Sequence, residues 1–310
     1  MFWNKKQKQA ELSVASCLND THYSIAAVKN NTQVIFSQKR EFNEDTRHLM
    51  AKTLAGDVER WNLIAHDCQL VLLPKQYQLI LMDALDVPET EMATALRWSM
   101  KGLSDYDLAT VAIDAFLMPV TDGQKKAFVA ITPQSAIDEK RALFESAFLE
   151  VTTISIAEMA LKNVVTLISR SETDSQSTPM IVISINDNIR KLHIVYNEMF
   201  YLIRELTSKP DAGSAEPAEL DNIAFEIEQS INYCVNKLNL PEPKQLLFTP
   251  GFYPIIDRLH NIEEKVALRT TIIDLNHYLT IEQPLSLEEQ HGVFYSIAGA
   301  LCFNQDELTV

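Results

Sequence analysis

Twice in this chain, three short runs of alternating apolar and polar residues precede a long amphipathic stretch and then a short, continuous apolar run. The first set is Leu12–Leu18, His22–Lys29 and Gln33–Gln38, separated by Asn19–Asp20 and Asn30–Asn31. Period-two alternation broken by Asn/Asp pairs at hairpin spacing predicts three antiparallel strands. An amphipathic helix is expected over Asn43–Arg60, with Asn43 as N-cap and Leu49, Leu54, Val58 and Trp61 turned to the core. Gln69–Leu73 then reads as a buried parallel strand. The second set begins about 170 residues later with Met180–Ile185, Arg190–Tyr196 and Met199–Glu205, with turns at Asp187–Asn188 and Asn197–Glu198. A helix over Ala218–Leu238 carries Leu220, Ile223, Ile227, Ile231 and Val235 on one face. A strand at Gln245–Phe248, a helix near Tyr253–Glu264, a strand at Thr270–Asp274 and a last helix over Leu287–Phe303 follow.

A β-β-β-α-β order written twice predicts an α/β protein of two ribonuclease-H-like halves facing each other across a cleft, the actin-like fold. The first half is assigned to residues 10–74 with 151–172 and the second to 178–285, with the final helix, 286–304, packing on the first. Residues 75–150 read as an inserted α+β subdomain. Its expected parts are a strand at Gln78–Leu85 and a helix from Pro88 through Met100, with proline at the first turn. A hairpin of Thr110–Met118 and Lys126–Ile131 around Thr121-Asp122-Gly123 follows, then a helix over Ala136–Phe148. Val151–Ile156 leads back to the main fold. Ser169–Pro179 and residues 207–217 are polar, turn-rich connections.

Charge and glycine content narrow the function classes. A formal charge of −15 excludes a bare nucleic-acid binder, because phosphate binding needs a concentrated basic surface. Only 7 of 310 residues are glycine. Phosphate-gripping loops use glycine so that backbone N–H groups can approach the anion closely, so the chain has little material for them. Four scattered cysteines, Cys17, Cys68, Cys234 and Cys302, form no metal-ligand spacing and suit a reducing compartment. With no apolar run near the ~20 residues of a membrane span and no secretory segment, a cytoplasmic location is expected. The stretch MFWNKKQKQ sets Phe2 and Trp3 beside Lys5, Lys6 and Lys8, which suits either a frayed terminus or a membrane- or partner-contact tag.

No catalytic constellation emerges. His66, His193, His260 and His277 lack zinc spacing, no GxSxG elbow is present, and no metal site is expected. Asn186 and Asp187 are the residues that could hold a Mg²⁺, or simply cap their turn. Arg97 and Trp98, with Asp105 and Tyr106 nearby, are candidates for partner contact, since aromatics and arginine are common interface anchors.

Leu70–Pro119 contains Tyr77-x-Leu79, a Val87-Pro88-Glu89 helix start, Leu96-Arg97-Trp98 and an Asp-centred strand, Ala112–Phe116. This segment resembles the MshI proteins of the mannose-sensitive haemagglutinin (MSHA) pilus, relatives of PilM in bacterial type IV pilus systems. The resemblance implies an actin-like fold with the insert as its extra subdomain. It also implies a cytoplasmic scaffold held at the inner membrane by docking the tail of a PilN-like membrane protein. Relatives bind ATP between the halves, with an Asp-x-Gly hairpin and a Gly-Gly turn. At the matching turns this chain has Ser16–Asp20 (SCLND), Ile183–Asn188 (ISINDN) and Phe248–Gly251 (FTPG). A vestigial nucleotide cleft of Asn19, Asp20, Asn186, Asp187, Asn188, Glu226, Gln229 and Gly251 is therefore expected, with no catalytic residue. ATP with Mg²⁺ is the one cofactor the resemblance suggests, and the glycine-poor turns argue against it. The alternative is a PilM-type nucleotide-binding ATPase with unusual phosphate loops. A divergent sugar-kinase-like enzyme would need a catalytic Asp in a Gly-rich setting, which is not evident here.

Overall fold

Two sheets of the same internal order frame the molecule. The computed structural model describes residues 12–120, 123–171, 178–186, 189–206 and 217–303. The expected turn at Asp187–Asn188, the Thr121–Asp122 tip, most of the two polar connections and the Phe2–Lys8 stretch lie outside the described residues.

In the first half, β1 (Leu12–Leu18), β2 (His22–Lys29) and β3 (Gln33–Glu41) form an antiparallel meander. Helix α1 (Met50–Arg60) leads to β4 (Asp67–Leu72), which lies parallel to β1. The insert follows with β5 (Gln78–Asp83), α2 (Glu89–Leu96), β6 (Val111–Leu117), β7 (Lys126–Pro133) and α3 (Gln134–Ser146). Its three strands form a separate antiparallel sheet in the order β5-β7-β6. The chain re-enters the first sheet at β8 (Glu150–Ile156), parallel to β4, and continues into α4 (Ala157–Ser171). The second half repeats the plan with β9 (Met180–Asn186), β10 (Ile189–Tyr196), β11 (Met199–Glu205), α5 (Pro217–Asn236), β12 (Gln245–Phe248), α6 (Leu259–Val266) and β13 (Arg269–Ile272). The chain then crosses back: β14 (Thr280–Ile281) pairs with β3, and α7 (Leu287–Ala300) packs across β1 and β2.

The sheet orders are β14-β3-β2-β1-β4-β8 and β11-β10-β9-β12-β13. Each half thus has an antiparallel meander extended by parallel strands, and the expected actin-like architecture is present. Helices α4 and α7 fill the layer between the halves, joining Ala15, Cys17 and Val71 to Val182, Val195 and Leu247 in one apolar core. Helices α1 and α3 cover the outer face of the first sheet, and α5 and α6 that of the second.

Left-handed asparagines make the tight turns. Asn30 and Asn31 have φ of 52° and 57°, and Asn197 and Glu198 have 48° and 58°. A two-residue type I′ hairpin turn requires this pair of conformations, and asparagine tolerates them better than most side chains.

Several boundaries differ from expectation. Asn43 does not cap the first helix; its side-chain oxygen accepts from the Thr46 N–H at 2.9 Å in a turn ahead of a short 3₁₀ segment, Arg47–Leu49. Starting the helix at Met50 shifts its buried face to Met50, Leu54, Asp57 and Val58, leaving Leu49 and Trp61 exposed. Asp57 can be buried because Arg40 donates to both its oxygens at 2.9 and 3.0 Å and the Tyr23 hydroxyl donates at 2.7 Å. Helix α2 ends at Leu96 and tightens into a 3₁₀ turn, Arg97–Met100. The helix expected near Tyr253–Glu264 is a 3₁₀ stretch, Pro250–Arg258, before α6. Helix α4 was not anticipated and takes in Ser169–Ser171 from the expected connection, although Glu158, Lys162, Thr166 and Arg170 recur along it at helical spacing.

Candidate functional site

In open α/β sheets, ligands bind at the C-terminal ends of the parallel strands. Here those ends come together around Glu158, in the first turn of α4 and 2% exposed. Its carboxylate accepts from the Lys191 Nζ of β10 at 2.6 Å and from the Tyr77 hydroxyl in the loop after β4. The ammonium lies 5.3 Å from the Tyr77 ring centroid. One ion pair therefore ties the helix that follows β8 to the hairpin of the second half.

Neighbouring groups complete the cluster. His193, two residues along β10 and 1% exposed, has its Nδ1 3.2 Å from the Val182 carbonyl. Tyr295 of α7 is buried, and its hydroxyl is driven above its ordinary range by that burial, with Glu158 adding to the rise and Ser184 opposing it. Burial alone would raise the Glu158 pKa, but Lys191, His193 and the Tyr77 hydroxyl together hold it below the usual carboxylate range. Burial pushes His193 down to about 4, against the pull of Glu158, so the ring is neutral at physiological pH. The Tyr77 hydroxyl is driven well above its ordinary range by burial and by the adjacent carboxylate.

Gly251 closes a second part of the same region. A Cβ placed on it would lie 2.3 Å from Ile185 Cγ2 and 2.9 Å from two atoms of the His291 ring. The missing side chain is used to let β9 and α7 pack over this turn. Thr249 fixes the turn further, its N–H donating to Ile183 O at 3.0 Å and its hydroxyl accepting from the Ile185 N–H at 3.2 Å.

The remaining expected site residues are placed as follows. Asn19 holds the β1–β2 turn: its side-chain oxygen accepts from the Thr21 and His22 N–H groups at 2.9 and 2.8 Å. Asp20 is exposed and pairs with Arg47 at 2.5 Å. Asn186 ends β9 opposite Ile189, while Asp187 and Asn188 lie outside the described residues. Glu226 pairs with Arg204 of β11 at 3.3 Å. Gln229 lines a cavity of about 510 Å³ between α5 and β11, with Leu202, Arg204, Tyr233 and Lys237. Two strands separate β11 from β12, so Glu226 and Gln229 stand apart from the Gly251 turn. In the insert, the Arg97 guanidinium donates to Leu108 O at 2.6 Å and Val111 O at 3.2 Å, and braces a loop. Trp98 is 72% exposed, with Leu103 and Asp105 also exposed nearby and Tyr106 half-buried.

Sequence reasoning missed Glu158, Lys191 and Tyr77. The available signal was Lys191 in β10, next to Arg190 and two residues before His193, in a strand whose other positions are mostly apolar. A charge on a buried strand asks for a buried partner. Among the described residues no group of His, Cys, Asp and Glu is arranged to hold a metal, and no helix is long and apolar enough to cross a membrane.

No family model and no curated protein matches this sequence. Solved structures do. A chain of the PilM–PilN type IV pilus biogenesis complex is similar over 95% of this chain and 98% of its own length, with a TM-score of 0.65 at 14% identity. A Bacteroides thetaiotaomicron protein with an actin-like ATPase fold and unknown function covers 88% of this chain and 93% of itself, with a TM-score of 0.53 at 9% identity. The fold is therefore actin-like.

Proposed function

We propose that the protein is a scaffold of a type IV pilus assembly machine, of the PilM-like kind and more narrowly of the MSHA (MshI) type, working without ATP hydrolysis. The observation that carries this reading is that the chain's own groups pair and pack where the strand ends meet. Lys191 supplies a cation against Glu158 there, and Ile185 and His291 cover the Gly251 turn. A nucleotide entering would have to break a buried ion pair, which is strongly unfavourable. The likeness over nearly the whole chain to the PilM–PilN complex supports the pilus assignment.

The partner in this reading is a PilN-like inner-membrane protein whose short cytoplasmic tail docks on the insert, keeping the protein in the cytoplasm at the membrane. Cytoplasmic segments beside membrane spans are enriched in Lys and Arg. The insert offers the matching chemistry in exposed Trp98 and Leu103, with Asp105 and Asp107 beside them. Co-purification with a PilN-like protein from the same cell tests this. Capture should need the partner's tail, weaken in salt, and fall at least tenfold in Trp98→Ala/Leu103→Ser; capture indifferent to both the tail and the variant would refute it.

A further inference from the structure

One edge of the second sheet is open. In the first half the third strand of the meander, β3, is covered on its outer side by β14, Thr280 pairing with Gln33 and Ile281 with Val34. Its counterpart β11 ends the second sheet, and among the described residues only β10 pairs with it. An unpaired strand edge is a template for another chain, and edges are commonly protected by lysine or proline. Met199–Glu205 contains neither. A bulge at Tyr201 interrupts its pairing with β10, which leaves Leu202–Glu205 as the regular stretch.

The ladder fixes the direction of the free groups. The Leu206 N–H donates to Arg190 O at 2.8 Å, and Arg204 and Leu202 stand opposite Leu192 and Ile194 in the same register. Antiparallel pairs alternate, so Leu206, Arg204 and Leu202 turn their N–H and C=O groups to β10, while Ile203 and Glu205 turn theirs to the open side. The Ile203 side chain packs on the core between the halves, and Leu202 packs on the outer core with α5. Arg204 follows Leu202 at strand period, and both line the cavity of about 510 Å³ beside this edge, with Gln229, Ser230, Tyr233 and Lys237.

The lining of this groove selects its occupant. Arg204 and Lys237 line it and no carboxylate does. Glu205 alternates to the other face of the sheet. Glu226 pairs with Arg204 at 3.3 Å, yet Arg204 Nε is buried with no hydrogen-bond partner among the described residues, and such a donor favours an added acceptor. Lys237 is exposed and adds a second cation. Tyr233 and, two turns back on the same face of α5, Phe225 are 43% and 59% exposed and offer apolar contact. A second copy of the chain suits the edge poorly. An isologous pairing sets the same patch against itself and brings Arg204 close to its own copy.

We infer that the open edge of β11 and this groove bind an extended peptide by strand addition. Its backbone pairs with Ile203 and Glu205, and residues two apart on it face Arg204 and Leu202. The matching segment therefore carries an acidic residue two positions from an apolar one. This contact lies on the second half and uses none of the insert residues assigned to the partner tail.

Fluorescence anisotropy tests the inference, using the full chain and a labelled, end-blocked octapeptide in which glutamate and valine alternate at every second position with threonine between. The peptide should bind saturably below ~1 mM and weaken in salt. Replacing its glutamates by lysine, or its threonines by proline, should weaken binding about tenfold or more. Glu205→Pro removes one outward N–H and leaves the β10 ladder intact, and Lys237→Glu reverses an exposed cation. Both should melt like wild type and weaken binding roughly threefold or more. No saturable binding to the wild type, equal binding of the lysine peptide, or binding unchanged in both variants overturns the inference. Self-association that Glu205→Pro abolishes, without peptide binding, also overturns it, assigning the edge to a second copy. Peptide binding lost in Trp98→Ala/Leu103→Ser but kept in Glu205→Pro overturns it too, assigning the peptide to the insert. Capture of the PilN-like protein can fail while the peptide binds, so the two readings are separable.

Discussion

Lys191 and Glu158 are each costly to bury and tolerable only together. Lys191→Met removes the cation and leaves a carboxylate that is 2% exposed to face Tyr77 alone, and it should lower stability by roughly 3–5 kcal/mol. Urea unfolding of wild type and Lys191→Met between pH 7 and 4 measures this, and adding Glu158→Gln should restore part of the loss. The same titration reads His193. Its folded pKa is depressed to about 4, so as pH falls below about 6.5 the unfolded chain takes up the proton and the folded chain does not. Wild-type stability should therefore decline from about pH 6.5 towards pH 4, by up to about 1.4 kcal/mol per unit. Glu158, held below the usual range, acts lower still: its contribution is present above the unfolded value of about 4.3 and is lost as pH drops through its folded pKa. Little of this was legible in the sequence, because the three partners come from positions 77, 158 and 191 and only the fold brings them together. Glycine scarcity was legible but has a second cause. Asn30, Asn31, Asn62, Asn197 and Asn239 take positive φ, so asparagine does turn work that glycine often does.

At the level of elements, periodicity located every strand except β14, whose two residues pair with β3 and are too few to show a period. The meanders β1–β3 and β9–β11 and the strand β12 stand within a few residues of expectation. The period of α4 was there to be read, in Glu158, Lys162, Thr166 and Arg170, and was passed over; at Asp57 of α1 side-chain pairing overrides the apolar pattern. Helix α7 shows how tightly the central layer is set. A Cβ on Gly299 would fall 2.5 Å from Val71 Cγ2 and 3.1 Å from the Ala15 Cβ. Gly299→Ala gains up to ~1 kcal/mol of helix propensity, yet it should lose roughly 1–3 kcal/mol by overpacking and destabilise the protein on balance. Equilibrium denaturation decides this; a more stable variant would mean that α7 is free to shift off the sheet.

For the whole molecule, the doubled strand order gave the architecture, since each half needs its own sheet and a shared helical layer to bury the inner faces. The site was less accessible. The glycine-poor turns can be read from the sequence, but the buried groups Glu158 of α4, Lys191 of β10 and Tyr295 of α7 are brought together only by the fold. The central claim is that this actin-like body holds its halves together with its own side chains in place of a nucleotide. Thermal unfolding with Mg-ATP, from micromolar to millimolar, tests it most directly, because a ligand that binds only the native state raises the midpoint once its concentration exceeds Kd. The midpoint should stay unchanged across the whole range. A saturable rise would mean that the Glu158–Lys191 pair opens to admit nucleotide, and would replace the scaffold reading with a nucleotide-binding one.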